Sequence, residues 1–240
     1  MIKETINKLN TELPSTVRLV AVSKFHPFEA IEEAYAAGQR IFAESRPQEL
    51  LAKVNRLEQI RDERGEPDYM SDIQWHFIGH LQTNKLKMVL PYVSLVQSVD
   101  SVRLLDAIQN WGATNNKVIP VLLEPHVAAE ESKQGFTSEE IYSIIDKVYG
   151  GFSDTSSEQA YPNISFCGIM GMATFTDDET LIRSDFARLR EIYETCRSRF
   201  NTLGEDFTEL SIGMSDDYPI AIEYGSTIVR IGSMIFGQRH

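Results

Sequence analysis

Cysteine is nearly missing from this 240-residue chain, with Cys167 and Cys196 as the whole supply. Two thiols so far apart build neither a disulfide framework nor a zinc ribbon, which makes a reducing cytoplasm the expected compartment. No apolar run is long enough to span a bilayer. The start, Met1-Ile2-Lys3-Glu4-Thr5-Ile6, lacks the apolar core of a secretory signal. Positive charge is also short. Lys and Arg total 23 against 35 Asp and Glu, a formal net charge of −12, and an acidic surface argues against general affinity for nucleic acid or anionic membrane. Metal-ligand spacing is missing too. His76 and His80 fall on a strand and its end, not on one helical face, and His26, His126 and His240 are scattered.

What the chain does have is alternation. Apolar periods of 2 and 3.6 follow one another almost from end to end. The spacing predicts strands over 17–23, 40–43, 72–78, 93–99, 117–123, 164–168, 210–213 and 227–231. Helical segments separate them: one carrying Phe28, Ile31 and Tyr35 and stopped by Gly38, and a longer one carrying Leu50, Val54, Leu57 and Ile60 that dissolves in the charged stretch 61–68. Another ends at Gly112, and one opens with a capping box of Thr137 and Glu140. Residues 150–163 form a polar insert, and the longest helix covers 178–203. Eight βα alternations without a composition break imply parallel strands under helices, and eight strands close a TIM barrel. The expected architecture is a single-domain α/β barrel over residues 1–240. An open doubly wound sheet is the alternative, since the second and sixth strands are short. No helix is apolar all round, so a monomer is the default.

Chemistry in such barrels gathers at the carboxyl ends of the strands. The residues there are Lys24, Glu44-Ser45-Arg46, Gly79-His80, Ser98-Val99-Asp100 and Glu124, followed by Gly168-Ile169-Met170-Gly171-Met172-Ala173, Gly213-Met214-Ser215-Asp216 and Arg230-Ile231-Gly232-Ser233. The sixth stretch is apolar and glycine-broken, suited to lying against a flat ring. Lysine forms imines with aldehydes once burial or cationic neighbours lower its pKa; the plain alternative is a surface lysine at a strand end. The loops after strands seven and eight are the recurrent phosphate site of these barrels, and both here pair a glycine with a serine. Ser215 as an ordinary N-cap and Ser233 as a turn residue are the plain alternatives. Period-2 alternation points Arg230 into the barrel, where a guanidinium needs a partner. That partner is a carboxylate such as Glu44, or the ring nitrogen of a cofactor. Together these residues suggest pyridoxal 5′-phosphate (PLP), with its aldehyde on Lys24, phosphate at Ser215 and Ser233, and pyridine nitrogen at Arg230. An arginine does not readily hand over a proton, so the ring would stay near neutral and extensive carbanion chemistry is disfavoured.

Four motifs carry a family resemblance: Ala21-Val22-Ser23-Lys24, the run from Trp75 through His80 and Asn84 to Lys85, Gly213-Met214-Ser215-Asp216-Asp217, and Ile228-Val229-Arg230-Ile231-Gly232-Ser233. In this order, over nearly the whole chain, they resemble the PLP homeostasis proteins, also called the YggS/PROSC family. The resemblance implies a fold-type III barrel similar to the amino-terminal domain of alanine racemase, with PLP held as a Schiff base on Lys24. It implies a cytoplasmic role in vitamin B6 and amino-acid homeostasis without turnover, with apo-PLP enzymes as recipients. Lys24, Ser45, His80, Asn84, Met214, Ser215, Arg230, Gly232 and Ser233 are the cofactor-site residues it suggests. Two departures stand out. Ser45 replaces the asparagine of the common Gly-Glu-Asn-Arg, and Leu123-Glu124-Pro125-His126 differs from the usual Val-Asn pattern, although Lys133 and Gly135 keep the later Lys-x-Gly.

Alanine racemase likeness raises an enzyme alternative, a weak PLP-dependent amino-acid racemase. Such an enzyme needs a second proton-transfer group on the opposite face of the ring. In the racemase a tyrosine from a further domain of the partner subunit supplies it, and no such domain is expected before His240. Tyr35, Tyr224 and His80 are candidates on paper, with Tyr35 better read as core and His80 as a strand-end residue bonded locally. A third reading is an aldolase-like enzyme on a phosphorylated sugar, with Lys24 as its Schiff-base residue. The expected function is a PLP carrier or regulator.

Overall fold

A computed structural model describes residues 1–127, 135–149, 160–199 and 206–237. Its strands are β1 (Arg18–Val22), β2 (Ile41–Glu44), β3 (Gln74–Phe77), β4 (Val93–Val99), β5 (Ile119–Leu123), β6 (Ile164–Met170), β7 (Glu209–Ser211) and β8 (Ile228–Ile231). Every neighbouring pair is parallel, and β8 returns to pair with β1, so the sheet is a closed barrel in sequence order. Closure excludes the open-sheet alternative. The helices are α1 (Ile2–Glu12), α2 (Phe28–Ala36), α3 (Pro47–Arg64), α4 (Leu86–Val89), α5 (Val102–Asn115), α6 (Ser138–Tyr149), α7 (Glu179–Arg199), α8 (Tyr218–Glu223) and α9 (Ser233–Phe236). None of the described helices is long and apolar enough to cross a membrane.

Strand alternation sorts the core into two layers. Leu19, Ala21, Phe42, Phe77, Val121, Leu210, Val229 and Ile231 meet the helices. Val20, Val22, Ala43, Leu95, Leu122, Met170 and Ile228 fill the barrel interior. The capping box of α6 forms as the sequence predicts, with Glu140 N donating to Thr137 Oγ1 at 3.2 Å and Thr137 N donating to Glu140 Oε2 at 2.8 Å.

Three boundaries differ from the sequence reading. Helix α3 does not dissolve at Arg61 but runs to Arg64, where Gly65 (φ 66°) ends it in the left-handed conformation. Arg61 reaches the carbonyls of Tyr69 and Met70 and so ties the charged turn down. Helix α5 passes through Gly112 because a Cβ there would sit 2.8 Å from both Asn163 Cβ and Lys117 O, so the glycine marks a close approach and not a stop. Strand β6 continues to Met170, which makes Gly168-Ile169-Met170 strand rather than loop. Lys133, His240 and residues 150–159 of the polar insert lie outside the described residues.

Candidate functional site

The segment carrying Lys24 is anchored from both sides. Val20 and Val22 face the barrel interior; buried Ser23 follows the strand, and half-buried Lys24 opens the turn just beyond it. Ser23 N donates to Ala43 O at 3.1 Å, and its hydroxyl donates to Glu44 Oε1 at 2.6 Å. From α3, the Lys53 ammonium donates to Ser23 O at 2.8 Å, Glu44 Oε1 at 2.6 Å and Glu49 Oε1 at 3.1 Å. On the far side of Lys24, Phe25 takes a left-handed backbone (φ 69°) and donates its N–H to Glu49 Oε1. The Arg46 guanidinium lies over the Phe25 ring, 4.4 Å from its centroid. Phe25 is thus held in a conformation that bulky residues rarely adopt.

Glu44 is wholly buried. Burial pushes its carboxyl upward, against the pull of the Lys53 ammonium and the Ser23 hydroxyl. These contacts correct the suggestion that Glu44 partners Arg230. On β2, Glu44 shares the helix-facing side with Phe42 and meets α3, whereas Arg230 shares the interior side of β8 with Ile228.

Arg230 is 4% exposed. Its Nη1 donates to Ser211 O at 2.6 Å and Ser211 Oγ at 2.7 Å, and its Nη2 donates to Gly171 O at 2.9 Å. Burial pulls the guanidinium down to about 10, while the charges of Glu124 and Asp217 push it upward. It therefore stays protonated at neutral pH. The Ser211 hydroxyl donates onward to Gln97 Oε1 at 2.7 Å, and Gln97 Nε2 bonds His76 Nδ1 at 2.8 Å. Burial pulls His76 down to about 3, which keeps it neutral. Sequence reasoning missed Gln97, Ser211 and this role for His76. The usable signal was a polar residue at an inward-facing position of a strand.

The ends of β7 and β8 adjoin. Ser211 pairs with Ile228, and Arg230 N donates to Gly213 O at 3.0 Å. Strand β8 also pairs with β1, Ala21 opposite Ile231. Gly232 packs on the end of β1, where a Cβ would lie 3.1 Å from Val22 O and 3.2 Å from Val22 Cβ. Gly213 takes φ 94°. The plain N-cap reading of Ser215 fails, because Asp217 occupies that position and its Oδ1 accepts the N–H of Met214 at 2.6 Å. Burial pushes the Asp217 carboxyl upward. Ser215 is half-buried and Ser233 exposed at the start of α9.

The remaining candidates divide. Ser45 stands half-buried at the end of β2, its backbone against Gly79. His80 is exposed and its Nδ1 lies 2.9 Å from Asp100 Oδ2, the local bond expected of it. Asn84 is exposed on a 3-10 turn over Thr83–Lys85. His80 and Asn84 line a cavity of about 740 Å³ with Gln82, Asp100 and Arg103, and none of the other seven candidates lines it. A second cavity, about 880 Å³, opens beside the Lys24 segment between Phe25, His26, Arg46, Lys53 and Arg56. Tyr35 and Tyr224 are at the other end of the barrel. Tyr35 is half-buried and packs against the core, as expected of it, and its hydroxyl bonds Asp72, just ahead of β3. Tyr224 follows α8, ahead of β8, and packs beside Phe186.

Comparison with known proteins agrees with this fold. The family model described as alanine racemase, N-terminal domain, matches residues 1–240. The chain is 35% identical over 222 residues to the pyridoxal phosphate homeostasis protein of Aquifex aeolicus, covering 92% of this chain and 87% of that one. It is 36% identical over 248 residues to the human protein of the same name, covering 99% and 82%. The chain belongs to the pyridoxal phosphate homeostasis protein family. Among solved structures, PipY of Synechococcus elongatus PCC7942 without PLP superposes with TM-score 0.85 at 30% identity, over 99% of this chain and all of that one. The same protein with PLP bound gives 0.80 at 29% identity. Alanine racemase from Corynebacterium glutamicum gives 0.69 at 15% identity, a shared fold that covers 99% of this chain and 60% of the racemase.

Proposed function

We propose that residues 1–240 act as one PLP-binding barrel that holds the cofactor on Lys24 and hands it over, or regulates its level, in cytoplasmic vitamin B6 homeostasis. The supporting observation is the convergence at three adjacent strand ends. Those of β1, β8 and β7 carry a half-buried lysine, a buried guanidinium, and two glycine–serine turns. The residues fit the group. Three Arg230 bonds to protein acceptors leave two of its five N–H donors without a described acceptor, ready for an aromatic ring nitrogen. The hydroxyls of Ser215 and Ser233 bond no described residue, and Gly213 and Gly232 let their turns pack closely on Ala221 and Val22 beside them.

When bound, PLP supplies an aldehyde carbon that a primary amine attacks reversibly with loss of water. Lys24 provides that amine, and the anchored residues on either side fix where it reaches. Arg230 donates to the ring nitrogen and orients the ring without surrendering its proton. Ser215, Ser233, Met214 and Gly232 grip the phosphate, and Ser45 borders the ring from β2. His80 and Asn84 would act from the separate cavity that they line.

A carrier suits this arrangement better than a racemase. Neither tyrosine weighed as a second base stands near the mouth, and an arginine on the ring nitrogen leaves a weak electron sink. Family membership favours the vitamin over a phosphorylated sugar. The test begins with the visible spectrum of purified protein. Borohydride should bleach the yellow colour and add mass to the peptide holding Lys24, and Lys24→Ala should abolish both. A chirality assay on free amino acids should find no Lys24-dependent interconversion; such turnover would overturn the carrier assignment in favour of the racemase.

A further inference from the structure

Arg230 is the only charged member of a chain of side chains that crosses the barrel interior from β8 through β7 and β4 to β3. We infer that Ser211, Gln97 and His76 are positioning residues for Arg230, joined in a hydrogen-bond chain of fixed direction that locks the guanidinium toward the cofactor ring. The inference rests on the function proposed above.

The direction follows from the donor inventory. A guanidinium only donates, so Ser211 Oγ must accept from Arg230 Nη1. Its single proton then goes to Gln97 Oε1. That choice turns the Gln97 amide nitrogen to His76, where a neutral ring accepts at Nδ1 and carries its proton on Nε2. Reversing the Gln97 amide would leave the Ser211 proton without a described acceptor, which favours this polarity. Leu95, Leu122 and Ile228 show that apolar side chains fill the same interior, so packing alone does not call for polar groups on four strands. What the chain adds is placement. Nη1 is fixed twice on Ser211 and Nη2 once on Gly171 O, and the unused donors are fixed with them.

The test titrates apo-protein with PLP, following visible absorbance at several pH values. Gln97→Leu and Ser211→Ala should weaken binding about tenfold or more and move the pH at which the bound chromophore changes colour. His76→Gln keeps an acceptor for Gln97 and should stay within about threefold of the parent. A folded Gln97→Leu protein that binds PLP with the parent affinity and pH profile overturns the inference; if Gln97→Leu does not fold, Ser211→Ala decides by the same criterion. A second readout needs no cofactor. The Arg230 side-chain N–H signals of the apo-protein should exchange with water at least about tenfold faster in Ser211→Ala, and unchanged exchange counts against the chain. A parent protein that takes up no PLP would defeat the function proposed above, and the exchange measurement would still judge the positioning role.

Discussion

Removing one partner from a buried ion pair leaves an uncompensated charge in low dielectric, typically a loss of about 3–5 kcal/mol. Lys53 and Glu44 meet that description, with side chains 7% and 0% exposed and 2.6 Å apart. Lys53→Met should therefore lower the unfolding free energy measured in urea by an amount in that range, and Lys53→Met with Glu44→Gln should recover part of it. Because Lys53 also holds Ser23 O, the single variant should loosen the Lys24 segment as well. His76 makes a separate statement about acid. Its folded value, about 3, lies below the ordinary 6.5. Between those values the unfolded chain takes a proton that the folded one refuses, so unfolding free energy falls by about 1.4 kcal/mol per pH unit as pH drops, and the group contributes no pH dependence above 6.5. Glu44 has the opposite sign, since a carboxyl raised by burial binds its proton more tightly when folded and gains stability as pH falls through its folded value. The comparison of parent with His76→Gln isolates the imidazole: the variant's stability should fall less steeply below pH 6.5, measured by urea unfolding at stepped pH.

At the level of strands and helices, most of the barrel was legible because each strand announces itself by alternation or by a short apolar run. The inward placement of Arg230 was legible for the same reason, since period 2 carries the interior face of β8 through Ile228 to Arg230, whereas Lys24 lies in a turn just past the end of β1, where that period stops. The misread boundaries share a cause. Charge after Ile60 and glycine at 112 are local signals, and packing overrode both: Arg61 found carbonyls to bond, and Gly112 let α5 approach Asn163 and Lys117. Gln97 and Ser211 went unread because their partners come from strands far apart in sequence, which only the closed barrel brings together. The motif holding His80 and Asn84 is contiguous in sequence, yet the chain turns after β3 and delivers both to a separate cavity. Strand β6 offers an element-scale prediction. Gly168 (φ 152°) abuts the Glu209 backbone so closely that a Cβ collides with it. Gly168→Ala should part β6 from β7 and cost more than the roughly 1 kcal/mol typical of point substitutions, seen as a drop in Tm of several degrees.

For the whole molecule, a ligand that binds only the folded barrel must raise its stability by mass action, about 2.7 kcal/mol at a hundredfold excess over Kd. PLP should therefore raise Tm by several degrees in the parent protein. In Gly232→Ala the added methyl meets Val22 O at 3.1 Å and presses the β8 turn away from β1, and the rise should be markedly smaller. Thermal scans with and without PLP on both proteins check this.

The pairing of β8 with β1 has a consequence for biosynthesis. Lys24 is made long before Arg230, so a nascent chain that still lacks β8 has the amine without the guanidinium. On the function proposed above, capture of the vitamin would wait until that seam shuts, and a product cut short before β8 would not sequester it.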